Sequence, residues 1–186
     1  VYQCRLIVAG QFTQVGTLPV NSIAAWDGAN WYPLAQGVVG TVYALAVHNG
    51  LLYAGGMFQT AGSLSNVNNL AAWNGSSWLQ VDNGVTGTTG AYVTALLSTS
   101  SGLVVGGNFQ TAGSTSNLPC QNIALWNGAA FVNNYNATFN GPIYTLGEYG
   151  GQLVAGGTFT TPYLNIASWN GSAWNPLSGG ITLFYQ

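Results

Sequence analysis

The sequence predicts an all-β fold assembled from four imperfect copies of one unit. Three recurring patterns carry this expectation. The first is a Gly-containing apolar run closed by Phe: Leu6–Phe12, Leu52–Phe58, Leu103–Phe109 and Leu153–Phe159. Its Phe residues recur at intervals of 46, 51 and 50 residues. The second is a short run ending in Trp and a turn dipeptide: Ile23–Gly28, Leu70–Gly75, Ile123–Gly128 and Ile166–Gly171, each with another aromatic five residues past its Trp, at Trp31, Trp78, Phe131 and Trp174. The third precedes three of the Gly motifs: Val42–Leu45, Val93–Leu96 and Ile143–Leu146.

Each pattern reads as a strand. The runs are short, rich in Val, Ile, Leu, Tyr and Trp, and bounded by Gly, Asn and Ser, which is how strands are punctuated. No stretch sustains helical periodicity. The Asp-Gly or Asn-Gly after each Trp marks a hairpin, because both residues accept positive φ. Gly10, Gly56, Gly107 and Gly157 are expected where backbones approach closely. Phe12, Phe58, Phe109, Phe159, Trp26, Trp73, Trp126 and Trp169 are the matching structural anchors of the four copies.

Four strands per unit, repeating every ~40 to 50 residues, are the signature of a β-propeller. The expected architecture is thus one β-propeller domain over 1–186, with four four-stranded blades at approximately 1–46, 47–97, 98–147 and 148–186. Ile181 to Gln186 reads as a last inner strand that closes the ring onto the first blade. The rival is that the four blades belong to a larger ring. The chain opens at Val1 inside an expected strand, with no initiator Met, so a processed product or an excerpt of a longer polypeptide is expected.

On the Gly-Gly-x-Phe and Ala-x-Trp-Asn-Gly motifs the chain resembles the kelch-like repeats of secreted bacterial and archaeal surface proteins, and fungal cell-cortex marker proteins look similar. The resemblance covers nearly all of the chain. It implies the propeller fold and an extracellular or cell-surface location, and little about chemistry.

Charge sets this chain apart. Asp, Glu, Lys and Arg make up 2 % of it, against roughly 25 % in ordinary soluble domains. Arg5 is the one strong base, Asp27, Asp82 and Glu148 are the acids, and His48 is the single histidine. A nucleic-acid partner is not expected, since neutralising phosphates takes several Lys or Arg. No apolar run approaches the ~20 residues of a membrane helix, so no membrane insertion is expected. Near-zero charge favours association between copies.

The same scarcity argues against an enzyme. Paired-carboxylate hydrolysis needs two acids in one site, and the three acids fall at different repeat positions. His48 reads as a surface turn residue beside Asn49-Gly50 rather than a triad base. One His and two Cys do not make a zinc site, and no Asp-rich calcium loop is visible. No catalytic residue, metal or cofactor is expected.

All seven Trp occupy matched repeat positions, the regularity that packing between blades demands. Sugars stack on Trp faces, so a glycan-binding, lectin-like or adhesin propeller is the alternative function. The favoured expectation is a non-enzymatic extracellular structural protein that self-associates into a filament, sheath or surface layer, with copies of itself as partner. Its outer side chains are uncharged and lack the gatekeepers that keep strand edges apart.

Cys4 aligns with Gly50 in a turn, and Cys120 ends a loop on the opposite face. A strand of ~6 residues separates such faces by ~20 Å, beyond the ~7 Å Cα separation a disulfide permits. Cys4 of one copy and Cys120 of the next are therefore candidates for a head-to-tail intersubunit disulfide. Two unpaired, buried thiols are the other reading. Asn74, Asn136 and Asn170 are candidate glycosylation sites, each in an Asn-x-Ser/Thr sequon.

Overall fold

The computed structural model describes residues 1–88, 90–114, 118–136 and 139–181. The chain is all-β: 21 strands in antiparallel sheets, with no helix among the described residues. The first sheet holds β1 (Leu6–Ala9), then β4 (Ile23–Trp26) and β5 (Trp31–Pro33), with the hairpin β2 (Gln14–Val15) and β3 (Leu18–Pro19) between β1 and β4. The second sheet runs β6 (Val38–His48), β7 (Leu51–Ala61), β9 (Leu70–Trp73), β10 (Trp78–Gln80), with β8 (Leu64–Ser65) added beside β7. After β11 (Val85–Thr86) the third sheet is β12 (Tyr92–Thr99), β13 (Gly102–Asn108), β16 (Ile123–Trp126) and β17 (Phe131–Val132). Strand β11 joins β14 (Thr111–Ala112) and β15 (Leu118–Pro119) in a small sheet. The fourth sheet is β18 (Ile143–Tyr149), β19 (Gln152–Gly157), β20 (Ile166–Trp169) and β21 (Trp174–Pro176).

The last three sheets are meanders of inner, Gly-motif, Trp-motif and outer strand, each in sequence order. Their innermost pairs share a register irregularity, between Val42 and Ala44, Val93 and Ala95, and Ile143 and Thr145. Such a bulge bends the inner strand and sharpens its twist. The second sheet's long strands, eleven residues each, exceed the short runs expected from the sequence. Their ends pair Val38 with Ala61, as β11 and β14 pair Val85 with Ala112. In the third copy the inserted stretch between Thr86 and Tyr92 splits this piece off.

The sheets stack in series. One apolar cluster lies between the first and second sheets, around Ile23, Val38, Leu52 and Trp73. Another lies between the second and third, around Tyr53, Val93, Phe109 and Trp126. A third lies between the third and fourth, around Ile123, Phe139, Phe159 and Trp174. The Trp-motif strands fill both faces with small residues, and Ala24, Ala71, Ala124 and Ala167 are all buried. Burial at this density, at about 25 cal/mol per Å² of apolar surface, is the main force holding the sheets face to face. Among the described residues no hydrogen bond joins the first sheet to the fourth. Of the expected closing strand, Ile181 is described and 182–186 lie outside the described residues.

The first sheet differs from its siblings. Among the described residues it has no inner strand: β1 pairs with β4 on one side, and the Gly10 carbonyl just beyond β1 accepts the Val42 N–H of β6 at 3.0 Å. Its inner hairpin turn is nevertheless formed, with Tyr2 bridged to Arg5 and Gln3 and Cys4 at positive φ, as Asn49 and Gly50 are in the second sheet.

Candidate functional site

The three acids and the histidine do not converge, while Arg5 lies over the Tyr32 ring, 4.2 Å from its centroid. Asp27 sits in the hairpin between β4 and β5, where its carboxylate accepts the Ala29 and Asn30 N–H groups and the Tyr32 hydroxyl, each at 2.8 Å. The Asn30 and Ala29 amides, and then Tyr32, hold its carboxyl below the ordinary value. Asn74, Asn127 and Asn170 cap the equivalent turns with the same two backbone bonds. Asp82 accepts the Ser114 N–H at 3.0 Å and its hydroxyl, tying the second copy to the third. Glu148 lies exposed near the end of β18. Among the described residues, no three His, Cys, Asp or Glu gather as a metal would require.

His48 is not a surface residue. It is 7 % exposed, with its Nδ1 2.9 Å from the Ser98 hydroxyl. It also lies against Tyr53, with ring centroids 6.4 Å apart. The reason is that the turn of the second sheet leans on the inner strand of the third, which covers it.

The tryptophans pack between sheets. Trp78 donates its indole N–H to the Leu34 carbonyl at 2.9 Å. Trp126 donates to the Tyr53 hydroxyl at 3.2 Å, and Trp174 to the Tyr135 carbonyl at 3.0 Å. Each reaches from its own sheet to the one before. Trp73 and Trp126 are buried, and Trp26, Trp31 and Trp169 are half-buried. Phe58, Phe109 and Phe159 are buried and Phe12 is half-buried.

Two cavities recur between copies. One, of about 350 Å³, is bordered by Phe109, Gln110, Gln121, Asn122 and Asn140. The other, of about 560 Å³, is bordered by Phe58, Gln59, Thr60, Asn68 and Asn69. Phe58 and Phe109, Gln59 and Gln110, and Asn69 and Asn122 are equivalent by repeat. Neither is lined by Trp. Inner-strand tyrosines Tyr43 and Tyr92 meet edge-on, with centroids 6.3 Å apart.

Cys4 is exposed and Cys120 is buried, neither in a disulfide. Burial raises the Cys120 thiol from 9.0 to about 12. Asn74, Asn136 and Asn170 are all exposed. The Asn136 sequon continues into 137–138, outside the described residues.

One set of polar residues escaped the sequence reading. Asn69, Asn122 and Asn165 sit just before the Trp motif at positive φ, and Ser22 holds the same place in the first copy. Asn122 Oδ1 accepts the Phe109 N–H, and its Nδ2 donates to the Phe139 and Gly141 carbonyls, just before β18 of the fourth sheet. Asn69 joins Phe58 and Val85 in the same way. Asn165 donates to the Ile181 carbonyl, and Ser22 to that of Gly40. The signal was present: a polar residue directly precedes all four Trp motifs.

Among the described residues, Leu6 of the first sheet is far more exposed than its repeat counterparts. Leu6 is 51 % exposed, whereas its counterparts Leu52, Leu103 and Leu153 are 2 %, 0 % and 7 % exposed. A Cβ on Gly56, Gly107 or Gly157 would run into the carbonyl oxygen of Thr41, Tyr92 or Pro142 on the inner strand. On Gly10 it would meet only the Phe12 ring, at 3.7 Å. At the far end, Val154 and Ile166 of the fourth sheet are half-buried.

A scan against protein-family models finds no match for the chain, and a search of curated proteins finds none either.

Proposed function

We propose that the four stacked sheets are the blades of a β-propeller-type arrangement. The chain then acts as a non-enzymatic extracellular structural protein that self-associates into a filament, sheath or surface layer. The observation that carries this is the serial stacking itself: three apolar cores between four sheets, whose outer strands β5, β10, β17 and β21 each pair on one side only among the described residues. A bare strand edge is a template for pairing with another chain, and a chain with 2 % charged residues offers little repulsion against it. The burial of Cys120 argues for association through surfaces rather than through a Cys4–Cys120 bridge. Electron microscopy with light scattering across a concentration series tests the reading. Ordered polymers support it, and monodisperse particles at every concentration would sink it.

Glycan binding is the second reading. The two repeat-related cavities favour it, because each presents amide side chains around a Phe ring, the mixed polar and apolar lining that small ligands use. Glycan-array binding that is lost on Gln110→Ala would favour this reading. An array with no signal removes it.

A further inference from the structure

We propose that Asn74, Asn127 and Asn170 are sites of self-catalysed deamidation, at which the fold converts three hairpin asparagines into the acidic residue that the first copy already carries at Asp27.

The sequence supplies the reacting pair. Each Asn precedes a glycine, Gly75, Gly128 or Gly171, and both residues of every pair are exposed. Glycine has no side chain to obstruct its own amide nitrogen, and these three nitrogens make no hydrogen bond among the described residues. The glycine nitrogen attacks the Asn Cγ and a C–N bond forms. The Cγ–Nδ2 bond breaks, and Nδ2 takes up the amide proton and leaves as ammonia. Water then opens the cyclic imide. Opening at Cγ restores the main chain and gives aspartate, while opening at the main-chain carbonyl gives isoaspartate. On either path one neutral amide becomes one acid.

The fold supplies the activation. Negative charge develops on the Asn Oδ1 during the attack, and donors already aimed at that oxygen lower the barrier. Asn74 Oδ1 accepts the Ser76 and Ser77 N–H groups at 2.9 and 2.8 Å. Asn127 Oδ1 accepts those of Ala129 and Ala130, each at 2.9 Å. Asn170 Oδ1 accepts those of Ser172 and Ala173 at 3.0 and 2.9 Å. The Ser76 hydroxyl adds a donor to Asn74 at 2.9 Å, and the Ser172 hydroxyl adds one to Asn170 at 3.0 Å. Asn127 has Ala129 at that place.

Asp27 shows how these turns treat a negative oxygen. Its carboxylate takes the same two backbone bonds, from Ala29 and Asn30, and those amides chiefly hold its carboxyl below the ordinary value. The turn amides therefore favour the charged product as well as the charged intermediate. Three conversions take the acids from three to six and the net charge from −2 to −5, so the protein gains surface charge with time by its own chemistry. Asn127 lies outside any Asn-x-Ser/Thr sequon, so no glycan competes for its amide.

Peptide mapping by mass spectrometry in heavy-oxygen water, on the unglycosylated chain both folded and in urea, tests this. The three asparagines are expected to convert faster in the folded chain than in urea. They are also expected to outpace Asn49, which precedes an exposed glycine too but whose Oδ1 accepts no hydrogen bond among the described residues. Ser76→Ala is expected to slow Asn74 about tenfold, the worth of one hydrogen bond to a charged oxygen, and to leave Asn170 unchanged. If folding slows the three conversions, the turns protect these amides and the inference is overturned. It falls equally if Asn49 keeps pace with them, or if Ser76→Ala leaves the Asn74 rate as it was.

Discussion

Asn122 and Phe109 bond to each other twice: the Asn122 N–H reaches the Phe109 carbonyl at 3.0 Å, and the Phe109 N–H reaches Asn122 Oδ1 at 2.9 Å. The amide nitrogen then crosses to Phe139 and Gly141, on the stretch that leads into β18 of the fourth sheet. One buried side chain therefore fixes the spacing of two consecutive sheets.

Asn122→Ala should be among the most damaging substitutions. It leaves the Phe109 N–H without its acceptor and removes the donor to two carbonyls, each unpaired buried group costing about 1–3 kcal/mol. The residue's φ of 69° adds about 1 kcal/mol for a non-glycine without a local hydrogen bond. A loss of about 3 kcal/mol or more in urea unfolding is expected. Asn165→Ala, whose side chain makes one described bond, should cost visibly less, and equal losses would contradict this account.

Removing an indole N–H should matter only where it reaches a neighbouring sheet. Trp78→Phe strands the Leu34 carbonyl, at a cost of about 1–3 kcal/mol. Trp26 is half-buried, and its indole N–H makes no hydrogen bond among the described residues, so Trp26→Phe should cost about 1 kcal/mol or less. Chemical denaturation of both variants at one concentration decides the comparison.

Stability should fall at both pH extremes, for separate reasons. Burial lifts Cys120 and Tyr135 to about 12, Tyr135 with a lesser push from Glu148. A group raised on folding contributes stability that is complete below its unfolded value and lost as pH climbs to the folded one. Melting temperature should therefore drop between about pH 9 and pH 12. Asp27 is lowered from 3.8, so its contribution is present above that value and lost as pH falls further. Asp27→Asn should keep the turn, as Asn74 does, and flatten the acid side of the profile.

Thiol labelling should separate the cysteines. In the native protein at pH 8, Cys4 should react promptly and Cys120 only at the rate of unfolding, since a buried protonated thiol is unreactive. Mass spectrometry after timed labelling reads this directly. Rapid modification of Cys120 would show that its loop opens far more freely than its packing implies.

Strand positions were legible because each copy repeats the same apolar words between turn residues, and a repeated signal averages out local ambiguity. The alignment of Cys4 with Gly50 held: both lie in turns at positive φ. His48 was misread because its burial comes from Ser98 and Tyr53, 50 and 5 residues away, and no local pattern announces a neighbour across sheets. The Asn latches were visible as a column of polar residues, yet their meaning needed geometry, since Asn before a strand reads equally well as a plain turn. The uncovered face of the first sheet was invisible for the same reason: Leu6 and Leu52 look alike in sequence and differ only in what stands beside them.

The paired aromatics have an optical consequence. Trp26 and Trp31, Trp73 and Trp78, and Trp169 and Trp174 stand 5.0, 5.5 and 5.6 Å apart, at interplanar angles of 46°, 56° and 52°. Indoles held this close at a fixed tilt couple their electronic transitions and give a signed doublet in circular dichroism. Three of the four sheets thus carry an intrinsic chromophore pair across one hairpin. Opening a hairpin extinguishes its share of the doublet, so the molecule reports the integrity of its sheets without any attached label.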